Sequence, residues 1–133
     1  MLRRTAITTL LAASAAAADG RTDALDAVEP LASALSDGDA GAFMARIPQD
    51  APNYSELAAN VRALVAQTRT TSSVTVLKVG SGAADLDWYL EIRSRATDMS
   101  LERRRSIVRI EFAGRKLRRI EPAGFFAPPK VEP

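Results

Sequence analysis

Apolar residues recur at helical spacing through the first half of the chain and at alternating spacing through the second, with the change near Gln67. Leu25, Val28, Leu31, Ala32 and Leu35 make one stripe of a predicted helix. Pro30 interrupts it, either in a first turn or as a kink in a longer helix. Asp37-Gly38-Asp39 ends that helix and opens the next, because Gly suits a left-handed C-terminal position and Asp accepts from the first free amides. Ala40, Phe43, Met44 and Ile47 follow at helical spacing, and Pro48 and Pro52 bracket a break. Asn53 with Glu56 three residues on has the form of a capping box, and Leu57, Val61, Leu64 and Val65 then define a third helix.

From Thr70 the period is two. Thr70 to Val79 is β-branched and reads as a strand, and Gly80-Ser81-Gly82 reads as a turn. Asp85 to Arg95 alternates: Leu86, Trp88, Leu90 and Ile92 share one face, opposite Asp87, Tyr89, Glu91, Arg93 and Arg95. After a loop at Thr97 to Leu101, Arg103 to Phe112 alternates with Val108, Ile110 and Phe112 inward. Ala113-Gly114 turns the chain into a last strand, Arg115 to Glu121, which Pro122 ends. Helices followed by an antiparallel meander of about four strands predict an α+β fold, with the helices covering the one apolar face of the sheet.

The N-terminus changes where this fold is expected to work. Met1-Leu2-Arg3-Arg4 is a basic head, Thr5 to Ala18 carries no charge, and the run closes on Ala15-Ala16-Ala17-Ala18. That is the composition of a secretory signal cut near Ala17 or Ala18, so the expected division is a signal at 1–18, a domain at 19–126 and a Pro-rich extended tail at 127–133. The expected location is periplasmic or secreted. Arg3-Arg4 leaves both the general and the twin-arginine routes open. The uncharged run is too short to span a bilayer, and without Cys the chain has neither a lipid-anchor thiol nor a disulfide.

Without the signal the chain carries 16 basic and 16 acidic residues, a balance that argues against nucleic acid as a partner. The charges are nonetheless segregated. Residues 19–66 hold 8 acidic and 3 basic residues, while residues 67–133 hold 8 acidic and 13 basic. Acidic helices on a basic sheet account for that split.

The stretch Leu31-Ala32-Ser33-Ala34-Leu35-Ser36-Asp37-Gly38-Asp39-Ala40-Gly41-Ala42-Phe43 resembles the first-helix signature of the nuclear transport factor 2-like superfamily: an apolar helix, a Gly-Asp break, then small residues and an aromatic. Leu117-Arg118-Arg119-Ile120-Glu121 with Phe125-Phe126 resembles its closing strands. The resemblance spans roughly Leu25 to Phe126 and implies a cone in which a curved sheet wraps helices around a pocket. Some members are isomerases, dehydratases or cyclases acting on small hydrophobic molecules, and many only bind or scaffold. The chain has no His, which removes any His-dependent mechanism.

Candidate chemistry is sparse. Asp85, Asp87, Tyr54 and Tyr89 are the only acid/base combination near the expected cone, and their parity makes them outward strand or cap residues. Asp37 and Asp39 lack the other oxygen ligands of a calcium loop, so no metal, cofactor or catalytic residue is assigned. Trp88 centres an apolar strand face and is expected in the core or, with Phe43, Ile110 and Phe112, in a pocket wall. The arginines are the sharpest feature. Pairing Trp88 with Ile110 and Leu90 with Val108 sets Arg93 opposite Arg105 and Arg95 opposite Arg103, with Arg109 continuing the face. This expects either a solvated face of arginine stems or a contact for an anionic envelope partner. The expected function is an exported domain that binds a small hydrophobic ligand or an envelope partner, with a homodimer as a further arrangement. The alternative is a cavity enzyme of the isomerase or dehydratase type.

Overall fold

The computed structural model describes the backbone of residues 2–130 and the side chains of residues 20–130. The basic head and the whole signal-like run therefore lie outside the described side chains, and residues 131–133 of the Pro-rich tail lie outside the described residues. The order is α1 (Leu2–Asp37), α2 (Ala40–Met44), α3 (Tyr54–Gln67), then β1 (Thr68–Gly80), β2 (Ala83–Ser94), β3 (Ser100–Ala113) and β4 (Lys116–Glu121), and a short 3-10 turn at Ala123–Phe126. The strands form one antiparallel meander in the order β1-β2-β3-β4, curved and unclosed, so the fold is α+β.

Helix α1 corrects one expectation. The polar segment Asp19-Gly20-Arg21-Thr22, ahead of the apolar stripe that starts at Leu25, is already helical, and Pro30 sits inside the helix rather than in its first turn. Gly20 permits a close approach, because a Cβ there would stand 3.2 Å from Val79 Cγ1. Arg21 donates to the Val76 carbonyl at 2.8 Å, and Ser36 Oγ accepts from the Ser72 amide at 3.1 Å. Both contacts satisfy backbone groups of β1, an edge strand that would otherwise offer free pairing groups. The joint after α1 forms as the sequence predicts, with Gly38 at φ 71° and Asp39 accepting from the Ala42 amide at 2.9 Å. At α3 the capping box does not form. Asn53 makes no side-chain cap and instead donates to the Ile120 carbonyl at 2.7 Å, tying the helix start to β4.

The core lies between the helices and the inner face of the sheet. Leu31 and Leu35 of α1, Phe43 of α2, Leu57 and Leu64 of α3, and Leu86, Trp88, Leu90 and Ile92 of β2 are fully enclosed. Two buried threonines carry the helix ends onto the sheet: Thr70 Oγ1 donates to the Leu35 carbonyl at 2.8 Å, and Thr68 Oγ1 to the Leu64 carbonyl at 2.7 Å. Both carbonyls also accept a backbone amide at the helix end, Leu35 from Gly38 N at 3.1 Å and Leu64 from Thr68 N, so each threonine adds a second bond to a helix C-terminus.

The register of β2 against β3 differs from the expected one by four residues. Trp88 lies opposite Ser106 and Leu90 opposite Arg104, not opposite Ile110 and Val108. The loop is accordingly tighter, with Ser94 N donating to Met99 O at 2.8 Å and Asp98 taking a positive φ of 60°. A slip by an even number of residues keeps every apolar side chain on its face, so the hydrophobic pattern does not separate the two registers. The charges do: in the observed register Arg103 lies opposite Glu91, Tyr89 opposite Arg105 and Asp85 opposite Arg109.

Candidate functional site

The space that would hold a ligand in a cone is filled with aromatic rings. Trp88 Nε1 donates to Ser72 Oγ at 2.7 Å, which fixes the indole plane. Phe126 stands edge-on to Trp88 at 5.1 Å and to Phe43 at 5.4 Å between ring centroids, and Phe125 packs on Phe126 at 5.1 Å. Edge-to-face packing of this kind favours one arrangement of the cluster over sliding alternatives. Phe43 and Trp88, two of the expected pocket-wall residues, thus meet through Phe126. The other two lie further along β3, Ile110 opposite Ile120 and Phe112 opposite Leu117. All four are buried.

Arg104 closes this interior, and the sequence reading passed over it. Its even parity puts it on the inner face with Val108 and Ile110, where it lies opposite Leu90 with a side chain only 16% exposed. Nη1 donates to the carbonyls of Phe125 and Ala127, each at 2.6 Å, while Nε and Nη2 reach Glu102 at 2.7 and 3.1 Å. That fork holds the Glu102 carboxyl below the usual carboxylate range, chiefly through the hydrogen bond from Arg104. It also holds the C-terminal segment across the mouth of the roll, with Phe125 and Phe126 pressed on Trp88. Asn60 Nδ2 adds a bond to the Ala123 carbonyl at 3.0 Å.

The outer face of the sheet corrects the arrangement expected for its arginines. Arg105 is paired with Asp87, which it contacts from Nε at 2.8 and 3.1 Å. Arg109 contacts Asp85 at 3.0 Å, and Arg103 contacts Glu91 at 3.4 Å. Arg93 lies between Asp98 at 3.3 Å and Thr71 Oγ1 at 3.1 Å. Arg95 leaves the face altogether and donates to the Val65 carbonyl at 2.6 Å, a cation at the C-terminal end of α3 where the helix dipole favours it. The hydrogen bond from Arg105 holds the Asp87 carboxyl below its usual range, and the same bond raises the Arg105 guanidinium. Arg93 and Arg105, and Arg95 and Arg103, are therefore not set opposite one another, and each of the four has an acceptor of its own. Of the acid/base candidates, Asp85 and Asp87 are these arginine partners, Tyr89 shares their outer face, and Tyr54 begins α3 half-buried against the core.

The surface carries several open depressions, one set of which forms a groove across α1. One depression of about 340 Å³ is lined by Ala27, Ala45, Arg46, Ile47, Pro48, Arg115, Lys116 and Leu117. A second, about 460 Å³, adjoins it through the shared Arg46 and Arg115 and reaches Asp26, Glu29, Pro30 and Ser33. The turn after α2 carries Arg46, and the β3–β4 turn, with Gly114 at φ 59°, brings in Arg115 and Lys116. Among the described residues there is no group of three metal-ligating side chains, and no helix is long and apolar enough to cross a membrane.

The architecture is that of an α+β roll with an occupied interior. No family model, no curated protein and no solved structure matches the chain.

Proposed function

We propose that this chain is an exported, non-catalytic binding domain of the nuclear transport factor 2-like type, and that it meets its ligand or envelope partner on its surface rather than inside the roll. The observation that carries this reading is the Trp88, Phe43, Phe125 and Phe126 cluster, which occupies the volume a cavity enzyme would keep open. A cavity enzyme also needs an acid or base facing that volume. On the inner face of the sheet Thr68, Thr70, Ser72 and Arg104 are each engaged in a hydrogen bond, and Glu102, opposite Ile92, is held by Arg104. Export is supported by the basic head and the alanine-rich run before Asp19.

Two measurements on the exported protein test the reading. Its intact mass should correspond to a chain starting at Ala18 or Asp19, and a stable cytoplasmic protein retaining Met1 would sink export. An environment-sensitive dye such as anilinonaphthalene sulfonate should stay dark with the native protein, and acrylamide should quench Trp88 weakly. Bright dye that shifts Trp88 emission in the native state would place a ligand cavity inside the roll and favour the enzyme.

A further inference from the structure

We infer that the groove between α1, the turn after α2 and the β3–β4 turn is a binding site for a small organic acid, with its carboxylate held by Arg46, Arg115 and Lys116. Three cations line the first depression and no carboxylate does. Arg46 and Lys116 make no ion pair among the described residues. Arg115 reaches only Asp26, at 3.4 Å, with both side chains well exposed. Exposed pairs of that kind contribute about 0–1 kcal/mol, so Arg115 is readily recruited by a better acceptor. Two guanidinium forks and an ammonium match the in-plane lone pairs of a carboxylate.

The rest of the lining defines the body of the ligand. Ala27, Ile47 and Leu117 are buried and form an apolar floor, with Pro48 and Ala45 at its side. A volume of about 340 Å³ is that of a small-molecule pocket rather than of a protein interface. A free phosphate would satisfy the cations and leave the floor wet, and a neutral apolar molecule would do the reverse. An acid with a short acyl or aryl body satisfies both. The adjoining depression adds Asp26 and Glu29, so a second anionic group on the ligand is disfavoured there, and a monoacid is specified.

The test uses the full chain with hexanoate, hexan-1-ol and inorganic phosphate as probes, followed by backbone amide shifts. Hexanoate should move the amides of residues 45–47 and 115–117 in a saturable way and bind about tenfold or more tightly than either other probe, a difference of about 1.4 kcal/mol. Arg46→Gln/Lys116→Gln should weaken hexanoate about tenfold while leaving the melting temperature unchanged, because both side chains are exposed. Arg103→Gln, on the outer sheet face, should leave binding as it was. Hexan-1-ol or phosphate binding as well as hexanoate, no saturable shift, or full binding by the double variant would each overturn the assignment. The site rests on the surface-binding reading but fails separately from it, since dye entering the roll while hexanoate still titrates residues 45–47 would reject that reading and leave this site standing.

Discussion

Replacing Arg104 by Met removes a charge that the structure uses as a clasp and keeps most of its apolar stem. Two hydrogen bonds from the guanidinium to the Phe125 and Ala127 carbonyls are lost, and Glu102 is left without its partner. Hydrogen bonds involving a charged group are worth about 1.5–3 kcal/mol each. The ion pair adds little, because Glu102 is 37% exposed and solvent screens it. Ala127 is half-buried, so its carbonyl regains water in the variant and part of the loss is returned. The expected net cost is therefore about 2–4 kcal/mol, against a total stability of about 5–15 kcal/mol for a domain of this size. With a urea slope of about 2 kcal/mol per molar, the midpoint should fall by about 1–2 M. The variant should also report locally. Trp88 is the only Trp, and Phe125 and Phe126 lie against it at 6.4 and 5.1 Å, so release of the clasp should shift native-state emission to the red before any unfolding. A loss below about 1 kcal/mol with native emission unchanged would refute the claim that Arg104 holds the C-terminal segment on the core.

Trp88→Ala should cost about 3–5 kcal/mol in a denaturant melt, the range for a fully enclosed large aromatic, and a surface-like loss below about 1 kcal/mol would mean that the cluster around it is not packed as described. Acidification gives an independent check. Glu102 and Asp87 have folded-state pKa values lowered by Arg104 and Arg105, so their stabilisation is complete above the ordinary carboxylate range and is lost as pH falls through the lowered values. Melting temperature should thus drop on the acid side of pH 4, and Glu102→Gln should flatten part of that drop; an identical acid slope in the variant would remove Glu102 from the account.

Local signals in the chain were legible and non-local ones were not. The change of period at Gln67, the turns at Gly38, Gly82 and Gly114, and the Asp39 cap each depend on a few adjacent residues, and each appears where expected. Asn53 failed as a capping residue because its amide finds Ile120, 67 positions away, a partner that no window around the helix start contains. The β2–β3 register failed for a related reason. Both registers bury the same side chains, and the choice depends on loop closure at Ser94–Met99 and on which charges face each other. Arg104 was half legible. Three consecutive arginines in an alternating strand must place the middle one on the opposite face from its neighbours, and that face is the apolar one. What the run did not contain was Phe125 and Ala127, whose carbonyls make an inward arginine tolerable.

The same slip of register changes which arginines carry functional weight. In sequence, residues 93–109 hold six arginines, and an anionic partner there would relieve repulsion among them. In the structure, Asp85, Asp87, Glu91 and Asp98 lie against Arg109, Arg105, Arg103 and Arg93, so an incoming anion would have to displace a carboxylate already in contact. Arg46, Arg115 and Lys116 come from segments far apart in the chain and converge on one depression with no carboxylate in its lining. A partner anion gains most where the protein has left cations without a counter-charge, because there it adds an interaction rather than exchanging one for another. On that criterion Arg46 and Lys116, which make no ion pair among the described residues, outrank arginines 93, 103, 105 and 109, with Arg115 beside them shared with the exposed Asp26, although nothing in the spacing of residues 46, 115 and 116 marks them as a group.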